Sequence, residues 1–86
     1  MPITFPNVEA WDGPRMVSSF PADTDQGRVR CAISIEALQD HFEADEIEPM
    51  DAFRARRLEI QHIAERLINR QRFEPDGSIL IRTQDC

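Results

Sequence analysis

Cysteine and histidine are the side chains most readily used as nucleophiles and bases near neutral pH, and the chain has two of each, widely spaced, at Cys31, His41, His62 and Cys86. A catalytic thiol needs solvent access and a lowered pKa, which a nearby imidazolium or a helix N-terminus provides. Cys31 lies in an alternating stretch that points it inward, and His41 lies about a turn and a half along the helix that follows. We therefore interpret Cys31 as a buried, unreactive thiol. An enzyme using the Cys31 thiol is the less favoured alternative, and Cys86 is given no function.

No spacing typical of a metal, phosphate or acid–base site is present in the sequence. His62 lies three residues from both Glu59 and Glu65, a spacing typical of solvated surface pairs. The acidic run at residues 43–48 lacks the alternating oxygen ligands and the central glycine of a calcium loop. The three glycines stand alone in separate turns, so no glycine-rich loop cradles a phosphate. We therefore expect no catalytic residue, cofactor, metal ion or small-molecule substrate.

The arginines carry the remaining chemical signal, since every basic residue of the chain is an arginine. In the alternating stretch, Val29, Cys31 and Ile33 share one side of a strand, which turns Arg28 and Arg30 to the other side. The same parity in the neighbouring strands completes a set of four arginines on an open sheet face: Arg15, Arg28, Arg30 and Arg82. This face is interpreted first as a solvated outer face that only needed polar residues. The alternative is a binding surface for an acidic partner, RNA or a second subunit.

Charge argues against nucleic acid and membranes as partners. The net charge is −6 and the sequence pI is about 4.7, which disfavours attraction to phosphate backbones and anionic lipids. RNA-binding sheets stack bases on exposed aromatic side chains, and Phe20 is expected to point inward. No apolar run approaches the ~20 residues that span a bilayer. A nucleic-acid-binding regulator that uses the four arginines is kept as the alternative function.

Leu58 is a second candidate contact residue. On a helical wheel it lies on the polar side of a long helix, among Arg54, His62 and Glu65. A leucine in that position predicts self-association, in which it is buried against a second copy. A single exposed leucine is also ordinary on a protein surface.

The elements that position these residues follow from hydrophobic periodicity. The 86 residues predict a single domain over 1–86. Strands are expected at residues 3–5, 15–20, 28–33 and 78–83; a polar loop is expected at 21–27, a short helix from Ile35 to Glu43, a connector at 44–48, and one long helix from Pro49 to about Arg72. This order predicts an α+β fold: a small antiparallel sheet of three or four strands with both helices on one face, in two layers.

The predicted core combines the inward sides of the strands with the apolar side of both helices. Its members are Phe20, Val29, Cys31, Ile33, Leu38, Phe42, Phe53, Ile60, Ile63, Leu67, Ile79 and Ile81. Trp11 is expected at the sheet edge. Arg56 and Arg57 are expected to lay their aliphatic stems over apolar neighbours.

Several segments share a pattern with a known family. The residues that carry the pattern are Trp11-Asp12 before a strand, the run Val29–Leu38 into Phe42, the helix residues Phe53, Arg57, Ile60, Ala64 and Ile68, and the ending Phe73 with Asp76–Leu80. With these residues, the chain resembles a family of small bacterial proteins catalogued as domain of unknown function 1488 (DUF1488). The resemblance implies a stand-alone bacterial domain of mixed helix and sheet, and it carries over no catalytic or binding residue.

These observations together favour a non-enzymatic accessory or regulatory protein that acts through contacts with a protein partner or with itself. Two cysteines without a CxxC pair or a disulfide framework predict a reduced, cytoplasmic environment.

Overall fold

A computed structural model describes residues 3–42, 44 and 46–86 as one sheet covered by helices on one side. The elements in chain order are β1 (Ala10–Asp12), β2 (Val17–Thr24), β3 (Gly27–Ser34), α1 (Ile35–His41), α2 (Pro49–Ala55), α3 (Arg57–Asn69), β4 (Ile79–Ile81) and a 3₁₀ helix (Thr83–Asp85). The predicted α+β architecture is confirmed.

The sheet is mixed, with the spatial order β1-β2-β3-β4. β1 pairs antiparallel with β2, and β2 pairs antiparallel with β3, whereas β4 runs parallel to β3. The prediction of an antiparallel sheet is therefore wrong for β4. The physical reason is the connection: three helices lie between β3 and β4, and a long crossover of this kind lets a strand return in the direction of the first.

The β2–β3 hairpin is tighter than predicted. Both strands extend through the expected polar loop, so that Thr24 pairs with Gly27 and only residues 25–26 connect them. The Thr24 hydroxyl donates to the Gly27 carbonyl at 2.8 Å and accepts from the Gln26 N–H at 3.1 Å. Gly27 has a φ of +116°, a backbone conformation that glycine adopts without steric cost. Pro21 lies inside β2, where its missing N–H removes a donor on the side away from β3.

The predicted long helix is interrupted at Arg56. α2 ends at Ala55, and α3 begins at Arg57, because Arg56 leaves the helical conformation with φ −121° and ψ 27°. The guanidinium carbon of Arg56 lies 5.6 Å from the Phe42 ring centre, and that of Arg57 lies 5.2 Å from the Phe53 ring centre. Apolar periodicity continues across Arg56, so the break depends on tertiary contacts rather than on local pattern.

Two predicted helix starts are confirmed. The Ser34 hydroxyl caps α1 by accepting from the Ala37 N–H at 3.1 Å, and Pro49 occupies the first turn of α2. α1 ends at His41, two residues before its predicted end at Glu43. Glu43 and Asp45, which belong to the predicted acidic connector, lie outside the described residues.

The core lies between the sheet and the helices and follows the prediction closely. All of its predicted members are buried except Val29 and Ile63, which are partly buried and pack against it. Trp11 lies on the edge strand and remains partly exposed. Ser18 is a buried polar residue of this layer, and its hydroxyl donates to Met50 Sδ at 3.2 Å.

The ends of the sheet are shorter than predicted. The expected strand at residues 3–5 is reduced to one bridge between Thr4 and Asp23. The last strand spans only Ile79–Ile81 before the 3₁₀ helix begins. Within the described ranges, none of the helices has the length and apolar character needed to cross a membrane.

Candidate binding surface

The open face is the side of the sheet away from the helices, and strand register decides which residues lie on it. Arg30 pairs with Pro21, and Arg28 pairs with Asp23. Paired residues project to the same side, opposite that of buried Cys31. Arg28 and Arg30 are both exposed on the open face.

Val17 and Ala32 also lie on the open face, yet both are buried. The expectation of a fully solvated face around the arginines is therefore wrong for these two positions. Arg15 lies in the turn beside Val17, at residues 13–16, rather than in the strand predicted for it. Hydrogen bonds from Ser78 hold the pKa of Asp76 below its ordinary value, and the charge of Arg15 lowers it further. The charge of Arg15 therefore acts on the turn before β4.

Two more arginines of the predicted set are held by carboxylates. Arg28 donates to both Asp23 oxygens, at 2.8 and 3.2 Å, and this hydrogen bonding lowers the pKa of Asp23. Arg82 lies just after β4 and donates to both Glu74 oxygens, at 2.9 and 3.4 Å. The hydrogen bond to Glu74 raises the pKa of Arg82. Both arginines are therefore neutralised locally.

Arg30 differs from the other three arginines. No ion pair or side-chain hydrogen bond to Arg30 occurs within residues 3–42, 44 and 46–86. Its guanidinium therefore keeps its donors for water or for a ligand. Among the predicted arginines, it is the one best placed to receive a carboxylate from outside.

Arg30 borders a shallow concavity of about 330 Å³ on the open face. The residues that line it come from the N-terminal segment and from β2 and β3: Val8, Glu9, Ala10, Ser19, Phe20, Pro21, Arg28 and Arg30. Val8 is an aliphatic residue, yet it is 58% exposed. Exposed apolar surface therefore lies next to the charge of Arg30. We call this feature the concavity.

The concavity exists because the N-terminal segment bulges away from β2. The Thr4–Asp23 pair, with backbone hydrogen bonds of 3.0 and 2.8 Å, and the Ala10–Ser19 pair fix the two ends. Between them, residues 5–9 span the same interval as residues 20–22 of β2. The longer segment must loop out, and Pro21 offers no N–H to hold it.

Glu9 anchors the bulging segment to the helices. Arg54 Nε donates to Glu9 Oε2 at 2.9 Å, and Arg57 Nη2 donates to Glu9 Oε1 at 2.5 Å. The side chains of Glu9 and Arg57 are only 14% and 19% exposed. Hydrogen bonds from Arg57 and then Arg54 lower the pKa of Glu9. Nη1 of Arg57 is buried and lacks a hydrogen-bond partner in the described part of the chain.

Glu9 is not among the site residues predicted from the sequence. The partners of Glu9 lie 45 and 48 positions away along the chain. Neither helical nor strand periodicity relates residues at such separations, so the sequence carries no signal for this contact.

Leu58 lies in the helix layer, apart from the arginines predicted on the open face. It occupies the first turn of α3, in the helix layer, and is 72% exposed. The structure therefore divides the predicted contact residues into two separate places, the open face and this helix surface.

The two cysteines and the two histidines differ in exposure and in their contacts. Cys31 has no exposed surface, and burial raises the pKa of its thiol to about 12. Cys86 is exposed, and its pKa is raised by partial burial and by Asp85. His41 Nε2 lies 3.1 Å from the Thr83 carbonyl oxygen, which links α1 to the 3₁₀ helix. The part of the chain that the structure describes contains no group of three or more potential metal ligands.

Comparisons with known proteins place this fold among uncharacterised bacterial relatives. The family model described as "Protein of unknown function (DUF1488)" matches residues 3–81. The "Uncharacterized protein YrdB" of Escherichia coli (strain K12) is 36% identical over 76 residues, which cover 87% of this chain and 89% of the relative. The protein of the same name from Shigella flexneri is 34% identical over 76 residues, which cover 87% of this chain and 89% of that relative.

A solved structure has the same fold. The crystal structure of a protein of unknown function from the DUF1488 family of Shewanella loihica PV-4 is similar, with a TM-score of 0.80 and 25% sequence identity. The similarity covers 92% of this chain and 90% of the other.

Proposed function

The chain belongs to the DUF1488 family of proteins of unknown function, and we propose that it is a non-enzymatic accessory or regulatory protein that acts through protein–protein contacts. A shared fold does not assign an activity, so the proposal depends on the surface of this chain. It assigns that role to the open face and its concavity.

The observation that carries the proposal is that Arg30, which has no ion-pair partner among the described residues, borders the same concavity as exposed Val8. An arginine donates charge-assisted hydrogen bonds to an incoming carboxylate, often two at once. Val8, Ala10 and Pro21 supply apolar contact next to it. Arginine next to apolar surface is typical of protein interfaces. The partner is a protein segment that presents a carboxylate beside an apolar side chain.

The state of the two thiols supports a role without catalysis. Cys31 is buried and protonated at neutral pH, because its pKa is raised to about 12. A protonated thiol is a poor nucleophile. Both cysteines are free, which also supports a place in the reducing cytoplasm.

Nucleic acid is the less favoured partner. Binding to a phosphate backbone depends on several uncompensated cations, and Arg28 and Arg82 are already paired with acids. Trp11 and Phe73 are exposed, but neither lies beside Arg30 in the concavity, so the open face offers no stacking platform there.

The test compares variants in affinity capture from a bacterial extract. The wild-type protein, Val8→Asp, Arg30→Glu and the control Arg72→Glu are each immobilised, and retained proteins are quantified by mass spectrometry. Arg72 is exposed and lies outside the concavity, so its reversal matches the charge change alone. We expect specific partners to be retained by the wild type and the control and reduced about tenfold by both concavity variants.

Equal retention by all four proteins would contradict the proposal. A parallel measurement of fluorescence anisotropy uses labelled single-stranded RNA and duplex DNA at low salt, where we expect no binding. Binding that weakens steeply with salt and is lost in Arg30→Glu would favour the nucleic-acid alternative instead.

A further inference from the structure

We propose that the segment that docks in the concavity is residues 46–48 of a second copy of this chain. This inference rests on the proposed function of the concavity and names its occupant. We call Glu46, Ile47 and Glu48 the acidic tip.

The acidic tip has the chemistry that the concavity requires. Ile47 is 45% exposed, and it lies between two exposed glutamates just before α2. Neither glutamate has an ion pair among the described residues. The acidic tip thus presents an apolar side chain beside negative charge. The concavity of the same chain presents apolar side chains beside the positive charge of Arg30.

The two surfaces are complementary in charge and in polarity. Ile47 of one copy fits against Val8 and Pro21 of the other, within a concavity of about 330 Å³. A carboxylate of the acidic tip then reaches Arg30, which has no acid of its own in the described ranges. Docking would bury apolar surface on both copies and supply Arg30 with an ion pair.

The acidic tip does not dock in the concavity of its own chain. The acidic tip belongs to the helix layer, where it lines a surface with Ile35 and Pro49. The concavity lies on the opposite side of the sheet. The contact therefore joins two unlike surfaces of neighbouring copies, and each added copy still offers one free acidic tip and one free concavity.

Leu58 marks a competing surface for self-association. It is the most exposed of the large apolar residues in the described chain, and its neighbours on that side of the helix are the charged or polar residues Arg54, His62 and Glu65. The test therefore includes it as the matched control.

Sedimentation velocity from micromolar to sub-millimolar protein tests the inference. We expect the wild type and Leu58→Asp to form species that grow beyond a dimer with concentration. Ile47→Asp lacks a functional tip, and Val8→Asp lacks a functional concavity, so each alone is expected to stay monomeric. An equimolar mixture of the two variants forms a heterodimer, because one intact tip meets one intact concavity.

Charge exchange provides a second measurement. Arg30→Glu is expected to weaken assembly about tenfold, and the double variant with both tip glutamates changed to arginine is expected to restore assembly when mixed with Arg30→Glu. Circular dichroism checks that each variant is folded.

Three results would overturn the inference: a wild type that stays monomeric throughout, a mixture of Ile47→Asp and Val8→Asp that does not associate, or loss of assembly in Leu58→Asp. If affinity capture still depended on Val8 and Arg30 in any of these cases, the concavity would bind a different protein and the proposed function would stand.

Discussion

Glu9 joins the two layers of the molecule beside the concavity. Its carboxylate accepts hydrogen bonds from Arg54 and Arg57, and the Arg57 pair is mostly shielded from water. Glu9→Gln removes the negative charge and one of the two acceptor oxygens, and Nη1 of Arg57 is already buried without a hydrogen-bond partner in the described part of the chain. We expect Glu9→Gln to lower the free energy of unfolding by about 1–3 kcal/mol in urea denaturation.

The control for this prediction is Glu59→Gln. Glu59 pairs with Arg56 at 2.7 Å, but both side chains are well exposed to water. Exposed pairs contribute little to stability, so the change in unfolding free energy is expected to be small. Equal effects of the two variants would show that Glu9 acts as an ordinary surface charge.

The Glu9 contribution is also expected to depend on pH. Hydrogen bonds from Arg57 and Arg54 lower the pKa of Glu9 in the folded chain below its value in the unfolded chain. The stabilisation is therefore fully present above the unfolded pKa, ~4.3, and is lost as the pH falls through the lower folded pKa. Urea denaturation of wild type and Glu9→Gln should show a difference at pH 7 that shrinks in strong acid. A difference independent of pH would contradict the ionic origin.

The two thiols are expected to react very differently. Cys86 is exposed, whereas Cys31 is completely buried with a pKa of about 12. An aromatic disulfide reagent at pH 8 should therefore modify Cys86 in the native protein and reach Cys31 only after denaturant is added. Cys86→Ser isolates the buried thiol, and rapid native labelling of that variant would restore the thiol-enzyme alternative.

At the scale of elements, the sequence pattern predicted the features that depend on interactions between residues close together in the chain. The alternation of Val29, Cys31 and Ile33 located β3, and the Ser34 cap located the start of α1. The break at Arg56 left no trace in the sequence pattern, because apolar periodicity continues across it and the ring over which Arg56 lies, that of Phe42, belongs to a separate part of the chain just after α1. The direction of β4 was likewise set by the path of three helices rather than by its own residues.

At the C-terminal end of α3, Gln71 adopts a backbone conformation that is strained for most residues other than glycine. Gln71 has a φ of 56°; its own N–H donates to the Ile68 carbonyl at 2.9 Å, and the Arg72 N–H donates to the Leu67 carbonyl at 3.0 Å, as in a Schellman motif. A non-glycine residue in this left-handed region costs about 1 kcal/mol. We expect Gln71→Gly to raise the free energy of unfolding by about that amount in urea denaturation.

Gln71→Ala is the matched control, because alanine removes the side chain and keeps the Cβ. We expect it to leave stability close to that of the wild type. A destabilised Gln71→Gly would mean that the glutamine side chain makes a contact worth more than the backbone strain.

At the scale of the whole molecule, the family resemblance and the single α+β domain were predictable, whereas the shape of the binding surface was not. The parity of β3 placed Arg28 and Arg30 on the outer side. It gave no information on the acids that neutralise Arg28 and Arg82, or on the bulge that exposes Val8. These features arise where the N-terminal segment meets both layers, and that meeting depends on the folded path of the chain.

Because Glu9 ties the bulging segment to the helices, we expect its removal to increase local opening of that segment. Thr4 and Asp23 exchange backbone hydrogen bonds at one end of the bulge, and Glu9 holds the other end to the helices. Amides opened by local motion exchange faster without any change in global unfolding. In Glu9→Gln we therefore expect hydrogen exchange to accelerate more at the Thr4 and Asp23 amides than at the Cys31 amide inside β3.

Glu59→Gln should leave all three exchange rates close to those of the wild type. Equal acceleration at Thr4, Asp23 and Cys31 in Glu9→Gln would mean that Glu9 stabilises the domain as a unit. Selective acceleration would mean that the ion pair specifically holds the segment that carries Val8. The concavity would then owe its shape to the ion pair with the helices, and Glu9→Gln should weaken partner capture even though the Glu9 carboxylate is engaged by Arg54 and Arg57.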